Sequence, residues 1–107
     1  MVNPYRGECA LVVDGEARVM RLSLGALASL EEQLGEASLM ALIGRFEEGT
    51  FRAGDLVALL TAGLNGGGWD VSQEAVRAAK IDGGPVGAAK AAGQLLRVTF
   101  AVPGDDG

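Results

Sequence analysis

The sequence predicts an α+β fold, mostly α, with an N-terminal β-hairpin followed by four to five short helices in one compact domain. Three observations carry this. Asp14-Gly15 sits between two runs of alternating apolar residues, a strong short-range hairpin signal. From Leu24 onward, leucines recur three and four residues apart, the period of a helix with one apolar face. Glycines then divide the helical region at Gly35, Gly49, Gly66-Gly67-Gly68 and Gly83-Gly84. The chain has 107 residues, and a domain of that size buries roughly 65% of its unfolded surface, enough for one core without metals or disulfides. Residues 1–102 are expected to form that domain, and residues 103–107 a disordered tail with no apolar content to bury.

The hairpin spans about residues 7–22. A three-residue loop, Asp14-Gly15-Glu16, is the expected register, because it places Cys9, Leu11, Val13, Ala17 and Val19 on one face. A two-residue loop would instead mix Leu11 with Arg18, while pairing Glu8 with Arg21. An isolated hairpin is marginal in water, so this one must lean on the helices or on a partner's strand.

Five helices follow. The first covers about 23–34, with Ser23 as N-cap, Leu24, Leu27, Leu30 and Leu34 as its stripe, and Gly35 as its stop. The second covers about 37–48, with Leu39, Leu42, Ile43 and Phe46 on one side. The third, about 53–64, is apolar almost all round and reads as the central helix, with Asp55 placed to complement the helix dipole. Ser72 caps a short fourth helix over about 72–80. Pro85 suits the first turn of the last helix, about 85–101, whose stripe is Val86, Ala89, Gly93, Leu96 and Phe100.

Charge and composition narrow the function. Nine basic residues are scattered among fourteen acidic ones for a net charge of −5, which argues against nucleic acid, since phosphate binding needs clustered Lys and Arg. No apolar stretch approaches the ~18 residues of a membrane span, and no basic segment leads into an apolar run, so the cytoplasm is the expected location. Cys9 is the only cysteine and there is no histidine. That removes the usual general base, the usual partner of a nucleophilic Ser or Cys and the commonest metal ligand. Cys9 in a strand reads as a small buried hydrophobe. Gly66-Gly67-Gly68 lacks the Lys and Ser or Thr of a phosphate loop and follows a helix, which makes it a helix end and a tight reversal. Glu31-Glu32, Glu47-Glu48 and Asp105-Asp106 are adjacent on exposed faces or in the tail, so they make no acid–base pair across a cleft. No enzyme, cofactor or metal site is expected.

Surface remains. A mean hydropathy of +0.25 exceeds what an ordinary soluble monomer of this size needs, and apolar surface left outside the core marks a partner or homo-oligomer site. The candidates are Val12, Met20 and Leu22 on the second face of the hairpin, Trp69, and Leu95, Leu96 and Phe100 at the end of the last helix. The alternative is that the core absorbs them all. Trp69 in particular can be an interface anchor or can pack over a helix end.

Arg6-Gly7-Glu8, Asp14-Gly15-Glu16, Leu24-Gly25-Ala26-Leu27 with Leu30-Glu31, Arg45-Phe46-Glu47 and Leu59-Leu60-Thr61-Ala62-Gly63-Leu64 occur in an order and spacing that resembles a known family. Its members are small proteins encoded beside the tail genes of bacterial gene transfer agents and related phages. They are described as tail assembly chaperones and are also labelled gene-transfer-agent tail tube proteins. The resemblance covers roughly Asn3 to Leu64, reaches towards Trp69, and fades beyond Ser72. It implies a protein of tail morphogenesis that binds the tape measure protein, keeps it soluble and brings tail tube subunits to it, and is then left out of the particle. The alternative it implies is a structural tail protein, of the tube or of tail completion, retained in the particle. It brings no catalytic residues. Tube subunits stack as β-rich rings, and one hairpin among helices fits the chaperone better.

Overall fold

Asp14 and Gly15 both take positive φ, 51° and 84°, the paired left-handed conformations of a two-residue hairpin turn whose twist matches that of the flanking strands. They join β1 (Glu8–Val13) to β2 (Glu16–Arg21). The computed structural model describes residues 7–34 and 39–99. Gly35, Phe100, the tail 103–107 and the side chains of Leu34, Leu39 and Leu42 lie outside the described residues.

The observed register corrects the expected three-residue loop. Glu8 pairs with Arg21, Cys9 with Met20, Leu11 with Arg18 and Val13 with Glu16. Two effects select it. The turn is clamped from outside, since the Asp14 amide donates to the Lys80 carbonyl at 2.8 Å and the Asp14 carboxylate accepts the Lys80 amide at 2.9 Å. The mixed pair of Leu11 and Arg18 is also tolerated, because the Arg18 guanidinium lies 4.2 Å over the Trp69 ring. Cys9, Leu11, Val13 and Met20 are then all buried on the inner face.

Helix α1 (Leu24–Leu34) starts where expected, with the Ala26 amide donating to Ser23 Oγ at 3.1 Å. Leu27 and Leu30 face the core, but Leu24 is 83% exposed. At 100° per residue it sits roughly a quarter turn from the direction of Leu27 and Leu30. Helix α2 (Leu39–Glu48) buries Phe46, which stacks on Phe51 with ring centroids 4.7 Å apart.

Helix α3 (Ala53–Gly66) is central and runs two residues past the predicted Leu64. It packs against β2, α1, α4 and α5. Its end presses on the hairpin: a Cβ on Gly66 would fall on the Arg21 carbonyl, and one on Gly67 on the Val19 carbonyl. Only glycine allows that approach. At the start of α3 the Asp55 carboxylate accepts the Arg52 amide at 3.2 Å and Arg45 Nη2 at 2.7 Å.

Helix α4 (Gln73–Ala78) is capped by Ser72 as predicted, with Ala75 N–H donating to Ser72 Oγ at 3.1 Å, but it stops short of Lys80. Residues 80–82 turn along β1 instead. Ile81 bridges Val13, and the Asp82 amide donates to the Val12 carbonyl at 3.0 Å. Helix α5 (Gly84–Thr99) begins with Pro85 in its first turn. Of the expected stripe Leu96 is buried, but Val86, Ala89 and Gly93 are not; the buried face is Ala88, Ala92, Leu95 and Leu96. Alanines at this contact bring α5 close to α3 and the hairpin, where Leu95 and Met20 crowd Gly63.

Candidate functional site

Most of the apolar residues singled out for partner binding belong to the core. Met20 sits in β2 with its side chain fully buried between the hairpin and α3, and Leu22, just beyond the strand, is buried too. Leu95 and Leu96 lie on the buried face of α5. They are corrected from surface to core, because the two-residue turn brings Met20 onto the inner face opposite Cys9 and α5 turns its Leu95 side inward. Val12 is half-buried on the other face of the hairpin, with its carbonyl taken by Asp82. Trp69 is half-buried, packs against the core and is covered by Arg18. The Asn65 side-chain amide holds the loop that carries it, donating to the Trp69 carbonyl at 2.9 Å and the Val71 carbonyl at 3.0 Å.

Cys9 is buried, and desolvation pushes its pKa from 9.0 up to about 11. It therefore stays a thiol near neutral pH, with Sγ 4.0 Å from the Ala91 carbonyl oxygen. A thiol is a poor nucleophile and a poor ligand. Among the described residues no group of three or more Cys, Asp or Glu is placed to hold a metal ion. No described helix is long and apolar enough to cross a membrane.

A groove of about 820 Å3 lies between α5 and the end of α2 with its connection to α3. Its floor is the stripe of α5 expected to face inward: Val86, Ala89 and Gly93. Val86 is 66% exposed. The stacked rings of Phe46 and Phe51 form the opposite wall, with Leu56 of α3 below them. Lys90, Arg97 and Glu48 stand on the rim.

The wall is held by a small polar network behind it. Arg45 Nη2 donates to Asp55 across from α2 to α3, Arg45 Nε donates to the Thr50 carbonyl at 3.4 Å, and the Thr50 amide donates to the Arg45 carbonyl at 2.9 Å. A charge-assisted pair that is mostly shielded from water keeps its strength better than a surface pair. The network thus ties the end of α2 to the start of α3, the segments that carry and flank Phe46 and Phe51. The lining carries neither cysteine nor histidine, so the groove offers apolar contact with charged edges, suited to the side of a helix. A signal for it was present in the sequence: Val86, Ala89 and Gly93 form a stripe as regular as Ala88, Ala92 and Leu95, and α5 has two apolar sides.

A family model described as phage tail tube protein, GTA-gp10, matches residues 6–102 of this chain. The match runs through α4 and α5, well beyond Ser72, where the resemblance read from the residues fades. No curated protein and no solved structure matches the chain.

Proposed function

The chain belongs to the phage tail tube protein family, GTA-gp10, and we propose that it serves in building a phage-type tail, by protein contacts and without catalysis. The observation that carries this is the family match over residues 6–102. The family description, a phage tail tube protein, supports a structural tail role, in which the chain would stay in the particle. Its contacts would be with other tail proteins and with further copies of itself. The apolar groove on α5 supports a role in contact rather than in chemistry.

One geometric observation favours a second reading, the assembly chaperone that binds the tape measure protein, helps recruit tube subunits and leaves. A tube wall of continuous sheet needs each subunit to lend open strand edges on both sides. In this hairpin the outer edge of β2 is shut by Gly66 and Gly67, and β1 is occupied at its Val12–Val13 end by Ile81 and Asp82. Such a subunit joins its neighbours through helices, which suits a holdase covering apolar segments of a long helical chain.

Quantitative mass spectrometry of purified mature particles, with cell lysate as reference, separates the two. Many copies per particle are expected of the structural component. Abundance in lysate with absence from particles, together with capture of a tape measure fragment, is expected of the chaperone. Unchanged tail assembly in a strain lacking the chain would overturn both.

A further inference from the structure

We propose that the α5 groove receives the outer face of α1 from a second copy of this chain, in a head-to-tail contact. Among the described residues, Leu24 and Val86 are the two large apolar side chains left standing in solvent, 83% and 66% exposed. They lie on different helices. Helix α1 packs on α3, whereas the groove beside Val86 is walled by α2. A two-fold contact would need the α1 ridge and the groove side by side on one face, so that each ridge enters the other copy's groove, and no α1 residue lines the groove. A head-to-tail contact buries both residues in one interface.

The two surfaces match in shape and in charge. Leu24, Ala28 and Glu31 recur at four and three residues on the exposed side of α1, which makes a convex ridge. The groove floor is built from Ala89 and Gly93, small enough to let a second helix come close. With the helices parallel and Leu24 seated at Val86, Glu31 lies about 10 Å further along the axis. Lys90 and Arg97 stand about 6 and 16 Å along α5 from Val86. The Glu31 and Glu32 carboxylates of one copy then fall between Lys90 and Arg97 of the next, on a rim that keeps one positive charge in excess once Glu48 is counted. In a chain of net charge −5, this is a local attraction where the whole molecules repel.

A head-to-tail contact leaves a free groove at one end and a free ridge at the other, so it grows into a closed ring or an open filament. In this the contact rests on the structural reading of the chain. The two fail separately, because retention is read from particles and the contact from the isolated protein.

Native mass spectrometry and sedimentation of the full chain test it, with Leu24→Asp and Val86→Asp. The wild-type chain is expected to form concentration-dependent oligomers beyond the dimer. Each variant alone is expected to weaken association at least about tenfold, with an unchanged far-UV circular dichroism spectrum because both sites are solvent-facing. The decisive sample is the mixture. Leu24→Asp keeps its groove and Val86→Asp keeps its ridge, so together they should form a one-to-one dimer that grows no further. Should either variant lose its helical spectrum, Leu24→Ser and Val86→Ser replace the pair and are read the same way. A wild-type chain that stays monomeric at all concentrations overturns the proposal. So does a mixture that fails to recombine, which would place self-association on a two-fold or different surface.

Discussion

Replacing Gly67 by alanine isolates one contact that shapes the whole hairpin. Gly67 follows α3 with φ −83° and ψ −2°, a conformation any L-residue adopts, so the substitution costs nothing through backbone strain. The obstacle is steric. The new Cβ would land on the Val19 carbonyl oxygen, with the Val19 carbonyl carbon and Met20 Cα also close. These are backbone atoms of a paired strand, which cannot rotate aside like a side-chain tip. The hairpin must shift away from α3, loosening Met20 from its site beside Gly63. Overpacking of this kind costs about 1–3 kcal/mol, and the rigidity of the strand places this case near 2 kcal/mol. For a domain of this size that is a fall in Tm of about 8 °C. Urea unfolding followed by circular dichroism measures it. Gly54→Ala is the internal control, since Gly54 lies in the first turn of the same helix and a Cβ there meets nothing within 4 Å. It should be neutral or stabilise by up to about 1 kcal/mol. A Gly67→Ala protein as stable as wild type would refute the close approach of α3 to β2.

Other perturbations separate core from surface and probe the polar groups. Leu95→Ala should destabilise by about 2–5 kcal/mol through lost burial and the cavity left behind, and a Leu95→Ala protein as stable as wild type in urea would return that residue to the surface. Cys9 makes stability depend on pH at the alkaline end: its folded pKa of about 11 lies above the 9.0 of the free thiol, so its contribution is intact below pH 9 and is lost as pH rises towards 11. The full effect is about 2–3 kcal/mol; Cys9→Ala should flatten the decline in urea midpoint over that window, and parallel profiles would contradict the burial of the thiol. Arg18→Ala removes the guanidinium from the face of Trp69 and should cost about 1 kcal/mol while moving the tryptophan emission to longer wavelength. An unmoved spectrum would mean that Arg18 does not shield the ring. Asp55→Asn weakens both the cap of α3 and the tie to Arg45, and should cost about 1–2 kcal/mol in the same urea assay; no change would show that the groove wall stands without that pair.

Elements with local signals were legible in the sequence. Asp14-Gly15 marks the turn because those two residues accept positive φ at low cost. Ser23 and Ser72 mark helix starts because their hydroxyls take an amide the helix leaves orphaned. The apolar girth of α3 marks it as central. The candidate site was less legible. The sequence shows spare apolar residues and a chain poor in catalytic groups, but it does not say which of them remain outside. Met20, Leu22, Leu95 and Leu96 were consumed by the core, and Val86, read as an inward residue, stands at the groove.

By itself, the sequence determined the order and type of the elements, the hairpin's position and the absence of histidine, since each depends on residues close in the chain or on composition alone. Tertiary structure decided the strand register, the early end of α4 and the face that α5 buries. The turn residues allow two loop lengths, and only the bonds between Lys80 and Asp14 and from Asp82 to β1, with Trp69 beneath Arg18, distinguish them. Helix α5 carries two apolar stripes of nearly equal regularity. The one with Ala88, Ala92 and Leu95 wins because it seats Leu95 over Gly63 of α3, a residue far away in sequence. Periodicity states that a face is apolar; only close packing of distant segments states which face is used.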